Sequence, residues 1–168
     1  SWKQKIISNK INLAYKSKKK SILIAPTWST DFYRDEILDK LESLSRYYDV
    51  TFRPHYMSIL LNEISKQYLK NSNFKEDFNS EFNITEYDLL ISDWSGIYLE
   101  YIINTQKKPL VINTDEKKRN QIFHEEISIE KRLRKEFAFQ IEVNELDKIL
   151  TVVEKSIDTN DKNNIELN

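Results

Sequence analysis

Three short runs in this chain bring together residue types that can hold a phosphorylated ligand. In Leu89-Leu90-Ile91-Ser92-Asp93-Trp94-Ser95-Gly96-Ile97-Tyr98-Leu99-Glu100 an apolar run passes into a helical pattern, and the single glycine of the 168 residues stands at the change. A strand that turns straight into a helix leaves unpaired N–H groups at the helix start, and these attract anions. Glycine there tolerates positive φ and lets a ligand or another backbone come close. Ser95 adds a hydroxyl, so Ser95 and Gly96 together suit a pyrophosphate. The competing reading is that Asp93 or Ser95 only caps the helix. Glu100, one turn further on, offers a carboxylate to a ribose diol, or else is a solvated helix residue.

Arg53 and His55 flank Pro54, which ends a second strand-like segment, Asp49-Val50-Thr51-Phe52-Arg53. A guanidinium fork beside an imidazole can clamp a phosphate, although a loop histidine is also often just partly buried. The third run, Ser21-Ile22-Leu23-Ile24-Ala25, stops at Pro26 and opens into Thr27 and Trp28. His124, between Phe123 and Glu125, reads as structural. The lysines of Lys16-Ser17-Lys18-Lys19-Lys20 suit a solvated strand approach or a peripheral membrane contact worth about 1 kcal/mol each near anionic lipid. Asp31, Asp35 and Glu36 suit the first turn of a helix, favoured there by its dipole.

These candidates need a scaffold that gathers strand ends. Trp2–Tyr15 has a loose helical spacing, and Ser21–Ala25 is a continuous apolar run of the kind covered on both faces. Asp31–Tyr47 puts Ile37, Leu38, Leu41 and Leu44 on one stripe, with Ser29, Thr30 or Asp31 as caps, and Met57–Leu69 is a second amphipathic helix. Asn71–Asn83 is a polar connection with a short strand inside it. Tyr87–Ser92, Ser95–Asn104 and Pro109–Asn113 then follow as strand, helix and strand, an order that needs a crossover and makes the strands parallel. Ile122–Lys135 is predicted helical, Phe137–Val143 a strand, Asn144–Ile157 a helix, and Asp158–Asn168 a frayed polar tail. The alternation predicts one α/β domain, a Rossmann-like doubly wound parallel sheet with helices on both faces. Ligands of such sheets gather outside the carboxyl ends of the strands, which collects Thr27, Arg53, His55, Asp93, Ser95 and Gly96 on one edge.

Composition narrows the partners. Lys and Arg total 26 against 27 Asp and Glu, so no basic field points to nucleic acid, and an anion must be captured locally. Zero cysteines and two histidines leave no basis for a disulfide, a thiolate centre or a protein-only zinc site, and the reading includes neither metal nor cofactor. No apolar run approaches the roughly 20 residues that span a bilayer, and no leader sequence is visible, which makes the cytoplasm the expected compartment. The first residue is Ser1, which suits a piece cut from a longer protein.

The order of three motifs resembles the CDP-glycerol glycerophosphotransferase family of teichoic-acid and capsule synthesis. They are Ser21-Ile22-Leu23-Ile24-Ala25-Pro26-Thr27-Trp28, then Arg53-Pro54-His55-Tyr56, then Asp88–Glu100 with Lys108-Pro109-Leu110-Val111-Ile112. The resemblance spans about Ser21–Val153. It implies a glycosyltransferase-B-like fold of two Rossmann-like lobes, of which this chain looks like the carboxyl-terminal, donor-binding one. Residues 1–20 would then be a lead-in helix and basic connector, 21–157 the nucleotide-donor domain, and 158–168 the tail. By the same resemblance Ser95 and Gly96 cradle the donor pyrophosphate, with Asp93 in the same motif. His55, the catalytic candidate, reaches the same phosphates with Arg53, Glu100 approaches the ribose, and Thr27 lines the first loop. The implied partners are a CDP-activated donor, a polysaccharide or lipid-linked acceptor, and an amino-terminal lobe that supplies the rest of the enzyme at the inner face of the cell membrane.

Two positions depart from the family pattern. Asp93-Trp94-Ser95-Gly96 stands where relatives commonly show Asp-Tyr-Ser-Ser, and Ser29 stands where an arginine often follows Pro-Thr-Trp, so the donor stays open among CDP-glycerol, CDP-ribitol and related groups. Two other classes share this kind of fold. A receiver domain needs an acidic pair after the first strand, where this chain has Pro26-Thr27-Trp28. A catalytically silent α/β interaction module of a surface-polysaccharide synthesis protein keeps the same fold without the ligand.

Overall fold

The computed structural model describes residues 19–28, 31–78, 82–115 and 129–162. The predicted helix over Trp2–Tyr15, the lysines before Lys19, the caps Ser29 and Thr30, His124 and the last six residues lie outside the described residues. So does the amino-terminal part of the helix expected from Ile122.

Six strands form one parallel sheet: β1 (Ser21–Ile24), β2 (Asp49–Phe52), β3 (Lys75–Glu76), β4 (Leu89–Ser92), β5 (Leu110–Asn113) and β6 (Phe139–Glu142). Their order is β3-β2-β1-β4-β5-β6, the doubly wound arrangement in which the chain direction across the sheet reverses between β1 and β4. Ile22 stands opposite Val50 on one side and Leu89 on the other. β3 is only two exposed residues, a short edge of the kind that discourages further pairing.

Alternation along the strands feeds two cores. Ile22, Ile24, Phe52, Ile91 and Ile112 pack on one face with α1 (Asp35–Ser43), which buries Ile37, Leu38 and Leu41. The same face takes Leu69 of α3 (Lys66–Asn71), and Ile149, Val153 and Ile157 of α6 (Ile149–Lys162). On the other face Leu23, Ala25 and Leu90 meet Tyr98, Tyr101 and Ile102 of α4 (Ile97–Thr105), with Phe137 of α5 (Ile129–Phe137) packed against them. Each fully buried aliphatic side chain contributes about 1.5–3 kcal/mol, so β1, covered on both faces, is the spine of the fold.

The helices differ from expectation in four places. α1 starts at Asp35 with Arg34 as its N-cap and no side-chain capping bond, so Asp31 does not cap it, while Asp35 and Glu36 occupy the first turn as expected. The helix expected over Met57–Leu69 is two: α2 (Tyr56–Leu60) and α3, separated at Asn62, which has φ 56°. Ser65 begins the second by accepting the Tyr68 N–H at 3.0 Å. The last helix begins after a 3-10 segment, Val143–Lys148, and continues to Lys162 instead of fraying after Ile157. Asn160 explains this: it is buried, its Oδ1 accepts the Lys108 N–H and its Nδ2 donates to the Lys108 carbonyl, both at 2.9 Å.

The opposite, amino-terminal edge of the sheet is pinned by charge. Lys20 pairs with Asp88 at 3.2 Å and with Asp161 at 3.1 Å, and Asp88 also accepts the Ser21 N–H at 2.8 Å. The described end of the basic segment is therefore committed to the fold. Among the described residues no helix is long and apolar enough to cross a membrane.

Candidate functional site

The loops after β1 and β4 leave neighbouring strands toward opposite faces, and a crevice opens between them. Ser92, the last residue of β4, donates its hydroxyl to the Ala25 carbonyl at 2.7 Å. Asp93 is completely buried, and its Oδ1 accepts the Thr27 N–H at 2.8 Å. Thr27 and Asp93 are thus brought together as expected, but they face each other beneath the loops and do not line the crevice. A carboxylate accepting a backbone N–H in a dry setting makes a strong bond, and it holds the two loops in register.

Trp94 turns toward β5, donating its indole N–H to the Thr114 carbonyl at 2.9 Å. Ser95 follows on the crevice side, and α4 begins at its N-cap Gly96. Gly96 corrects an expectation: it has φ −61° and ψ −15°, ordinary helical values, and a Cβ built on it meets nothing within 4 Å. Neither positive φ nor crowding requires glycine there. The N-cap itself is Gly96, which has no side chain to cap with. The N–H groups of Ser95, Gly96 and Ile97 have no backbone acceptor among the described residues, while Tyr98 and Leu99 bond back to Ser95 and Gly96. These three N–H groups stand at the amino end of a nine-residue helix, where the backbone supplies no intrahelical partner, and two of the three residues, Ser95 and Ile97, line the neighbouring space.

The cleft that this space joins measures about 780 Å³ and takes Ser95 and Ile97 on one wall, with Arg53 and His55 on the other. His55 is the N-cap of α2, and its Nδ1 accepts the Met57 N–H at 3.1 Å. With Nδ1 so engaged, the neutral ring carries its proton on Nε2 and can donate from there. The His55 N–H is 3.4 Å from the Tyr33 hydroxyl, which burial, the largest cause, keeps protonated well above its usual range. Arg53 is held on two sides: Asp77 pairs with it at 3.4 Å, and its guanidinium lies 4.4 Å from the centre of the Phe82 ring. A phosphate approaching Arg53 must share it with Asp77.

Glu100 lies exposed on α4 outside this cleft, and neither Thr27 nor Gly96 lines it. Sequence reasoning passed over Lys66 and Lys70, which line the cleft from α3. Their spacing of four on a helix, which puts both on one face, was the available signal. It also passed over Tyr56 and Phe78, exposed aromatics on the cleft wall. Among the described residues no group of histidines and carboxylates is arranged to hold a metal ion.

A family model described as CDP-glycerol:poly(glycerophosphate) glycerophosphotransferase matches residues 2–128. No curated protein matches the chain. Among solved structures the chain is similar to the wall teichoic acid polymerase TagF, in a variant soaked with CDPG, at 21% identity and a TM-score of 0.40; the match covers 95% of this chain and 40% of that one. The chain thus spans about two fifths of the length of that polymerase. The family match takes in 127 of the 168 residues, including β1, β4 and the loops that form the cleft, and the chain belongs to the CDP-glycerol:poly(glycerophosphate) glycerophosphotransferase family.

Proposed function

We propose that this chain is the donor-binding lobe of a transferase that moves glycerol phosphate, or a related polyol phosphate, from a CDP-activated donor to a teichoic-acid-like acceptor. One observation carries the reading: Ser95, the free amino end of α4, Arg53 and His55 converge on a single cleft at the point where the sheet reverses direction. The N–H groups and Ser95 hydroxyl bind the pyrophosphate, and Arg53, Lys66 and Lys70 balance its charge. Thr27 and Asp93 serve the site from beneath, by holding the loops, and the ribose role that the resemblance gives Glu100 draws no support from its exposed place outside the cleft.

In the reaction an acceptor hydroxyl oxygen attacks the phosphorus that carries glycerol. A new P–O bond forms, the bond from that phosphorus to the bridging oxygen breaks, and CMP leaves with the electron pair. His55, donating from Nε2, stabilises or protonates the leaving phosphate, a contribution of about 10²–10⁴-fold for a placed acid. The base that takes the acceptor proton is assigned to the amino-terminal lobe. The 168-residue chain alone therefore binds nucleotide weakly and turns over nothing.

Calorimetry with CDP-glycerol, CDP, CMP and UDP tests this on the chain, and turnover tests it on the full protein. The expected result is preference for the cytidine diphosphates, weakened by Ser95→Ala, with His55→Ala reducing turnover more than binding. Silence toward all four ligands, with Ser95→Ala and His55→Ala turning over as wild type, would leave the interaction module as the better account.

A further inference from the structure

Arg134 sits on α5, outside the cleft, yet it is 3% exposed and its guanidinium joins the end of β5 to the loop that leads into Ser95. Nη1 donates to the main-chain carbonyl of Asp93 at 3.2 Å, and Nη2 donates to Oδ1 of Asn113, at the end of β5, at 2.9 Å. The same group lies 3.7 Å from the centre of the Trp94 ring, whose indole N–H is itself bonded to Thr114. Asp93 and Trp94 are the two residues before Ser95. The segment is therefore gripped from three directions: Asp93 by its side chain on Thr27, Asp93 by its carbonyl on Arg134, and Trp94 by the stacked guanidinium and the Thr114 carbonyl.

We propose that Arg134 is a positioning residue for the cleft: it fixes Asp93 and Trp94 so that Ser95 and the amino end of α4 are presented to the ligand in one arrangement. Its effect on ligand binding rests on the donor-site reading above; its effect on the loop does not. A planar fork that bonds in two directions and stacks on a ring is a task for arginine, since an ammonium is a point charge with neither property. β5 and β6 are already paired over four residues without it. What Arg134 adds is a tie to a loop carbonyl and a loop ring, so its removal releases the loop more than the sheet. The value of such a tie is preorganisation: N–H donors that are already aimed need no ordering when the phosphate arrives.

The test uses Arg134→Met, Arg134→Lys and Trp94→Phe in the full protein, read by amide hydrogen exchange and by calorimetry with CDP-glycerol, at a temperature where circular dichroism shows each variant folded. Arg134→Met is expected to speed exchange about tenfold or more at the Thr27, Tyr98 and Leu99 amides, the ones that are hydrogen-bonded to this loop, while leaving β1 and the middle of β5 as in the wild type, and to weaken nucleotide binding by about tenfold. Arg134→Lys is expected to resemble it, because charge alone does not restore the fork, and Trp94→Phe, which keeps a ring for stacking, to show a smaller change at the same amides. Exchange that rises evenly across all strands with affinity unchanged marks a general stabiliser and overturns the proposal, as does unchanged exchange at those three amides. Should the wild type bind no nucleotide, the donor reading falls, and exchange at those three amides alone decides for or against Arg134. If Arg134→Met does not fold, Arg134→Lys and Trp94→Phe carry the same comparison.

Discussion

Asp93 offers the sharpest test of how the site is built, because one buried oxygen holds two loops. Its Oδ1 accepts the Thr27 N–H at 2.8 Å, and the residue is 0% exposed. A hydrogen bond to a charged acceptor contributes about 1.5–3 kcal/mol, and a buried donor left without one costs about 1–3 kcal/mol. Asp93→Ala removes the acceptor and orphans the Thr27 N–H, so a loss of about 2–3 kcal/mol is expected. Asp93→Asn keeps an oxygen at the same place, so the Thr27 N–H retains an acceptor. Its loss is expected to stay within about 1 kcal/mol. The gap between the two variants, about 1–2 kcal/mol, isolates the acceptor oxygen from the rest of the side chain. Urea unfolding at neutral pH measures it, provided the slope with urea is the same for all three proteins. Equal stabilities for the alanine and asparagine variants, or an alanine loss below about 0.5 kcal/mol, would refute the claim that this bond holds the loops.

Other expectations follow from single contacts. Gly96→Ala should leave stability within about 0.5–1 kcal/mol of wild type, on the stabilising side, because the position is helical and open; the same variant weakens nucleotide binding if the ligand rests on that backbone, which calorimetry reads. Asn160→Ala loses both bonds to Lys108 and should cost about 1–3 kcal/mol in thermal or urea unfolding, where a frayed tail would cost nothing measurable. Asp88 has its carboxyl pKa held below the ordinary 3.8: burial alone would raise it, but the Ser21 N–H and Lys20 outweigh that. Since the folded value is the lower, its stabilisation is complete above the unfolded pKa and is lost as pH falls through the folded one; Asp88→Asn should flatten the stability profile between about pH 5 and pH 2 and leave its shape near neutrality unchanged.

The strands were legible because parallel, doubly covered strands read as unbroken apolar runs, and Ser21–Ala25, Leu89–Ile91 and Leu110–Ile112 are such runs. Strand-helix-strand succession implied parallel pairing, but the order of strands depends on contacts far apart in the chain, such as Ile22 with Leu89, that no local pattern records. The helix expected over Met57–Leu69 misled because Leu60 and Leu61 extend the apolar stripe, yet both are exposed and the chain reverses at Asn62. At the site, Arg53, His55 and Ser95 were legible as polar residues at strand ends. That Thr27 and Asp93 bond to each other was not, because a carboxylate that meets a ligand and one that holds a loop look the same in sequence. Arg134 had no signal at all: within Lys131-Arg132-Leu133-Arg134-Lys135 it is one more cation on a polar helix.

The polar residues around the cleft divide by burial, and the division follows from what each must do. Ser92, Asp93, Thr27 and Arg134 are each at most 7% exposed and spend their hydrogen bonds on other protein groups. His55, Lys66 and Lys70 are exposed, and Arg53 and Ser95 are partly so. A group that must aim its neighbours has to be dry, since water competes for the bonds that do the aiming. A group that must meet a charged ligand has to remain wet until the ligand arrives. The two walls of the cleft are unequal on the same grounds. The Ser95 wall rests on β4, completely buried, and on the contacts that Asp93 and Trp94 make beneath it. The opposite wall is built from α2 and α3, five and six residues long, with Leu60 and Leu61 more than half exposed. Helices so short have little stability of their own. The wall that carries Ser95 is thus the one with the deeper support, and the opposite wall rests on two short helices.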